Sequence, residues 1–141
     1  MKQQVITASV FIKKGNQVLL VKRSDTETFA PGHWELPGGH VEYDETVHDA
    51  LRREANEETG LDVDIKNIFY EFTYTIPEEE KHYIELIYLG ILKKEDQKIT
   101  LNPDEHSEYR WVGKEEFEKK FSDIFDKEYG AILEGFKLIS Q

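Results

Sequence analysis

Three glutamates, Glu54, Glu57 and Glu58, stand at i, i+3 and i+4 in a stretch that otherwise repeats with helical spacing. On a helix running from Asp44 to Thr59, that spacing puts all three carboxylates on one face. The face continues the apolar stripe Val47, Ala50 and Leu51, while His48, Asp49, Arg52, Asn56 and Thr59 fall on the other side. Such crowding is unfavourable by itself. Acidic groups near a helix C-terminus oppose its dipole, and like charges on neighbouring turns repel unless a cation lies among them. Hard carboxylate oxygens clustered in this way suit Mg²⁺ or Mn²⁺. A solvated acidic helix end is the plain alternative, and the helix alone does not choose between them.

Other elements must hold that face in place. Gly60 stops the helix, and Leu61 is placed to pack back on its last turn. Upstream, Val5 to Lys14 alternates as a strand, Gly15-Asn16 signals a hairpin turn, and Val18 to Val21 reads as a buried returning strand. A loop from Ser24 to His33 leads to a short strand at Trp34-Glu35-Leu36, which Pro37-Gly38-Gly39 punctuates. Strand-like runs recur at Ile65–Ile76, His82–Leu92 and Tyr109–Val112. The tail is helical, with Phe117, Phe121, Ile124 and Phe125 at helical spacing, followed by Tyr129, Ile132, Leu133 and Phe136. This order predicts an α/β fold in one domain over residues 1–141, a mixed β-sheet covered by helices on both faces.

Composition narrows the partners. A net charge of −11 excludes the basic footprint that binding a nucleic-acid backbone needs, and it disfavours an anionic membrane surface. A small polyphosphate is still admissible if a divalent cation sits between the two negative partners. No cysteine is present, which excludes disulfides, thiolate metal sites and a thiol nucleophile. The absence of an apolar span and of a signal-peptide pattern leads us to expect a cytoplasmic protein. Nothing in the sequence chooses between a monomer and a homodimer.

From Gly39 to Leu61 the sequence reads GHVEYDETVHDALRREANEETGL. It resembles the Nudix box, G-x5-E-x7-R-E-U-x-E-E-x-G-U with U a bulky aliphatic. Gly39, Glu45, Arg53, Glu54, Glu57, Glu58, Gly60 and Leu61 fall on the required positions, and Ala55 stands where a larger aliphatic is usual. At a background of roughly 5–10% per residue type, seven fixed matches arise by chance about once in ~10⁸ starts. The approach Trp34 to Gly39 and the segments Arg110-Trp111-Val112 and Glu115-Glu116-Phe117 are similar to the family's flanking elements.

The resemblance implies a Nudix α/β/α sandwich and metal-dependent hydrolysis of a phosphoanhydride in a nucleoside diphosphate linked to a further group. It implies that Glu54, Glu57 and Glu58 bind the cations, with a Gly38 or Gly39 carbonyl completing the shell. Arg53 would hold a carboxylate in place, and Glu45 would partner Arg53 in a structural role. Gly38 and Gly39 are expected to turn tightly and approach a phosphate or the metal. The metal would offset phosphate charge, polarise the P–O bond and lower the pKa of the attacking water.

A general base is expected outside the box, where the family often places a mobile glutamate. Glu105 is our choice, with His106 and Glu108 as its neighbours in an acidic loop. Arg23, beside Lys22 at a strand end, is a candidate phosphate contact against a surface charge. Phe29, Trp34, Tyr74 and Tyr83 are candidates to stack on a base, although aromatics at strand spacing more often serve the core. His33, His40 and His48 lack metal spacing and read as surface or loop residues.

The run from Pro31 to Glu42 looks like members that act on nucleoside triphosphates, damaged ones included, releasing monophosphate and pyrophosphate. ADP-ribose or a nucleotide sugar is the alternative. A non-catalytic, nucleotide-sensing Nudix domain is the rival of another class, but such domains typically lose box carboxylates.

Overall fold

Residues Ala8 to Ile12 are buried on both sides of their strand, as a central position in a sheet between two helical layers requires. The computed structural model describes Met1–Gln141 and places this segment in β1 (Gln3–Lys14). The sheet continues with β2 (Gln17–Arg23), β3 (Trp34–Glu35), β4 (Gly38–His40), β5 (Val63–Ile76), β6 (Lys81–Leu92) and β7 (His106–Gly113). The helices are α1 (Val47–Thr59), α2 (Lys114–Lys120) and α3 (Asp126–Ile139). β1 runs parallel to β6, and every other pairing is antiparallel. The fold is therefore the mixed-sheet α/β sandwich that the element order predicts.

Alternation along β1 divides the interior. Ala8, Val10 and Ile12 join Leu51, Ala55 and Leu61 in the core under α1. Phe11 points the other way and joins Phe117, Ile132 and Phe136 under α2 and α3. Ala55 is fully buried there, so the small side chain at this box position lies in the core beneath α1.

The feature that matters for function is a split in the sheet. β6 flanks β1 along its length, and β7 flanks β2. Between β1 and β2, pairing is confined to the hairpin end at Lys13 and Lys14. Further along, β4 pairs with β1 at Thr7–Ser9, while β3 pairs with β2 at Val21 and Lys22. Residues 34–40 thus fill the gap where the two strands diverge.

Several details differ from the sequence reading. The helix starts at Val47, not Asp44, because Asp44 adopts a left-handed φ of 63° and Thr46 accepts the Asp49 N–H as N-cap. Such a cap is worth about 1 kcal/mol. At the other end Gly60 has φ 76° and donates to Asn56 O, the left-handed stop that glycine adopts without strain. Thr59, assigned to the polar side, is fully buried; its hydroxyl donates to Ala55 O and accepts the Leu61 N–H. The helical tail is two helices, since α2 ends at Lys120, with Phe121 as its C-cap, and a turn through Ser122 and Asp123 intervenes. That turn leaves Phe125 exposed while Phe121 and Ile124 stay buried.

Candidate active site

The acidic face of α1 looks onto β4. Glu58 is buried at its centre, Glu54 is largely covered, and Glu57 stands at the rim with its side chain 57% exposed. Gly38 donates its N–H to Glu58 Oε2 at 3.2 Å. Gly38 and Gly39 are strand residues paired with Ser9 and Ala8, which corrects the tight turn expected of them. Glycine is required for another reason. A Cβ on Gly39 would lie 2.6–2.8 Å from the Glu54 carboxylate, and one on Gly38 would lie 2.2 Å from Ala8 O. The requirement is strict at Gly38, where the β1 backbone leaves no room for a side chain, while at Gly39 the Glu54 carboxylate would have to swing aside.

Arg53 organises the outer part of this face. Its Nε and one terminal nitrogen grip both oxygens of Glu45 at 2.8 and 3.0 Å. The other terminal nitrogen reaches Glu54 at 2.9 Å and Glu57 at 3.3 Å, and the His40 carbonyl accepts a further bond. Arg53 hydrogen bonding, helped by the Glu42 N–H, lowers the Glu45 pKa to about 2. The guanidinium is raised in turn, mainly by Glu45. One arginine thus fixes two of the three helix carboxylates, braced from behind by Glu45.

Glu58 has no such cation. Burial pushes its carboxyl well above the usual range, and the neighbouring Glu54, Glu35 and Glu105 carboxylates add to the shift. Beside it lies His106, 3% exposed, with Nε2 2.8 Å from Glu35 Oε2 and Nδ1 3.6 Å from Glu58 Oε1. That Nδ1 is a buried polar atom without a hydrogen-bond partner. Ligand atoms of Glu58, Glu105 and His106 all lie within 4.8 Å of one another. Buried carboxylates destabilised by mutual repulsion, with an unpaired nitrogen beside them, are a donor set that a divalent cation would satisfy.

A family model for the NUDIX domain matches residues 3–131 of this chain. The chain belongs to the Nudix family. It is 36% identical over 126 residues to the nucleoside triphosphatase NudI of Salmonella arizonae, covering 83% of this chain and 86% of that protein. An RNA pyrophosphohydrolase of Erythrobacter litoralis is 27% identical over 140 residues, covering 85% and 82% respectively. Among solved structures, a MutT protein from Methanosarcina mazei Go1 superposes with a TM-score of 0.82 at 26% identity, covering 99% of this chain and 97% of that one. The chain is accordingly a Nudix pyrophosphohydrolase. No helix is long and apolar enough to cross a membrane.

The other candidates fall at varied distances from this Nudix centre. Glu105 is half-buried beside Glu58 and His106, and burial raises its carboxyl above the ordinary value. Its backbone is pinned by the Ser24 N–H on its carbonyl at 2.9 Å, which differs from the free loop expected. Glu108 is exposed and faces Lys22 Nζ at 3.5 Å. Arg23 is occupied: Nε donates to Phe29 O at 2.7 Å, and the terminal nitrogens face Glu35 and Glu27 at 3.3 and 3.2 Å. Its guanidinium also lies over the Phe29 ring, which is otherwise exposed. Trp34 meets Phe121 edge-on, and Tyr74 stacks on Tyr83 with centroids 5.0 Å apart. His33, His40 and His48 are exposed, as expected.

Sequence reasoning missed Glu35, which meets His106 and Arg23, and also Glu85 and Glu128. Glu85 accepts hydrogen bonds from the Thr7 and Ser9 hydroxyls, and Glu128 accepts the Leu36 N–H at 2.9 Å. A signal was present in the hydroxyls at i and i+2 in an otherwise apolar strand. The midstrand charge of Glu85 was another.

Burial, reinforced by Glu35, raises the Glu128 carboxyl well above its ordinary value. An acid raised on folding adds nothing below its unfolded pKa, and its cost grows as pH climbs from that value through the folded one. Glu128→Gln keeps an acceptor for Leu36 and removes the charge. Its melting temperature should match the unsubstituted protein near pH 4 and exceed it at neutral pH by a few degrees. Thermal denaturation across pH 4–8 checks this, and a pH-independent difference would contradict it.

Proposed function

We propose that this Nudix hydrolase cleaves a nucleoside triphosphate to the monophosphate and pyrophosphate, damaged nucleotides included. The observation that carries the reading is the packing of Glu54 and Glu58 against the Gly38–Gly39 backbone, with Glu57 at the rim on Arg53 and every box carboxylate retained. The relationship to a protein described as a nucleoside triphosphatase supports the triphosphate over other diphosphate-linked substrates.

In this reading the three glutamates and the Gly39 carbonyl hold Mg²⁺ or Mn²⁺, which offsets phosphate charge and acidifies the attacking water. Arg53 keeps Glu54 and Glu57 oriented, with Glu45 bracing it. The bare backbone of Gly38 and Gly39 lets the phosphate chain come close to the same face. Arg23 contacts a phosphate by exchanging its Glu27 pairing while Glu35 still anchors it. Glu105 removes the proton from the attacking water.

The products test this. Attack at the α- or β-phosphorus of a triphosphate releases one pyrophosphate per monophosphate, and reaction in ¹⁸O-labelled water shows which phosphorus takes the oxygen. Stoichiometric orthophosphate with a diphosphate left behind would refute it. Turnover of ADP-ribose or nucleotide sugars alone would overturn the substrate assignment.

A further inference from the structure

The box accounts for the oxygen donors on α1, but it leaves one buried nitrogen unexplained. His106 opens β7 opposite Arg23 and is almost completely enclosed. Its Nε2 lies 2.8 Å from Glu35 Oε2, an oxygen that also faces Arg23 at 3.3 Å. A proton on Nε2, shared with that carboxylate, leaves the Nδ1 lone pair free and directed at Glu58. A carboxylate behind an imidazole is the arrangement that fixes the tautomer of metal-ligating histidines and raises their basicity.

The distances agree with that role. At 3.6 Å, Nδ1 and Glu58 Oε1 are too far apart for a hydrogen bond. Two ligands at ~2.0–2.1 Å from a tetrahedral ion are themselves separated by ~3.3 Å. Glu105 supplies a third ligand atom within 4.8 Å of the other two. One nitrogen and two carboxylate oxygens form a donor set different from the all-oxygen box. Imidazole suits Zn²⁺ and its d-block neighbours, whereas Mg²⁺ prefers oxygen and water.

We propose that His106, Glu58 and Glu105 form a second cation site that takes Zn²⁺ in preference to Mg²⁺, and that its occupancy inhibits hydrolysis. The inhibitory half rests on the function proposed above. Zn²⁺ in this site would draw Glu58 out of the activating cluster and occupy the carboxylate assigned to the attacking water's proton. The binding half stands on the geometry alone.

The experiment uses the full chain freed of metal with EDTA and then dialysed. Long-range ¹H–¹⁵N spectra of the histidine rings are recorded with Mg²⁺ and then with Zn²⁺. Zn²⁺ is expected to move the Nδ1 resonance of one ring, protonated at Nε2, which Mg²⁺ leaves in place. An unmoved His106 ring, as when Nδ1 meets only water, overturns the site, and this readout needs no variant. Calorimetric Zn²⁺ titration should show His106→Gln and Glu35→Ala weakening binding at least ~10–100-fold, the loss expected even for an outer partner. His48→Gln, on the exposed face of α1, should bind as the unsubstituted chain does, and equal binding by His106→Gln overturns the proposal.

Turnover with excess Mg²⁺ is then followed against added Zn²⁺. Half-inhibition should require ~10–100-fold more Zn²⁺ in His106→Gln. Zn²⁺ binding without inhibition overturns the regulatory half. No turnover with Mg²⁺ alone refutes the hydrolase reading instead, while spectra and calorimetry still decide the site.

Discussion

Glu57→Gln and Glu58→Gln should each lose orders of magnitude in turnover while remaining folded, and EDTA should abolish turnover in the unsubstituted chain. Both substitutions keep the size and a carbonyl acceptor of the side chain and remove its ligand charge. At Glu58 the acceptor matters, because the Gly38 N–H depends on it. Burial already disfavours the Glu58 anion, so a neutral amide costs the metal-free fold little. Glu57 is mostly exposed, and Arg53 still has Glu45 and Glu54 when Glu57 is neutral. The loss should therefore appear in kcat/KM and in divalent-cation affinity, with the metal-free proteins no less resistant to thermal denaturation than the unsubstituted chain. Undiminished activity in EDTA, or a fully active double variant, would end the metal-cluster account.

Helical periodicity is strict, and spacing alone put Glu54, Glu57 and Glu58 on one face of α1; the structure buries Glu58, largely covers Glu54 and leaves Glu57 exposed at the rim. The same rule misplaced Thr59, because a hydroxyl that bonds back to its own helix can be buried at no polar cost. The start of α1 depended on a left-handed φ at Asp44, a non-glycine residue that gives little warning of it. Pro37-Gly38-Gly39 read as a turn because glycine and proline usually break strands. Here the glycines serve close packing against Glu54 and β1 within a paired strand. His106 reads as a loop residue because the strand-like pattern begins only at Tyr109, whereas β7 starts at His106. There, pairing with Arg23 carries that strand into the split. What could not be read were contacts between distant segments: Glu35 to His106, Glu85 to Thr7 and Ser9, and Glu128 to Leu36.

Glu105→Gln should lower kcat by ~10²–10⁴-fold with little change in KM, the contribution expected of a general base. The box carboxylates are poor candidates for this task, because a ligand bound to a dication retains little basicity. Glu105 lies beside Glu58 without belonging to the box, and burial makes its carboxylate a stronger proton acceptor than an exposed glutamate. Its backbone is tied to Ser24, so rotation of the side chain, without movement of a whole loop, must bring it to the attacking water. The neighbours are less well placed. Glu108 is exposed and directed at Lys22, so Glu108→Gln should retain near-full kcat. His106 has Nε2 engaged with Glu35 and Nδ1 turned toward Glu58, so its loss should disturb metal affinity before it disturbs proton transfer. The comparison needs kcat and KM at saturating Mg²⁺ for all three variants. A near-unchanged kcat in Glu105→Gln beside a large fall in Glu108→Gln would move the role to Glu108. If all three variants keep full kcat, the attacking water needs no side-chain base, and the cation alone supplies the acidity.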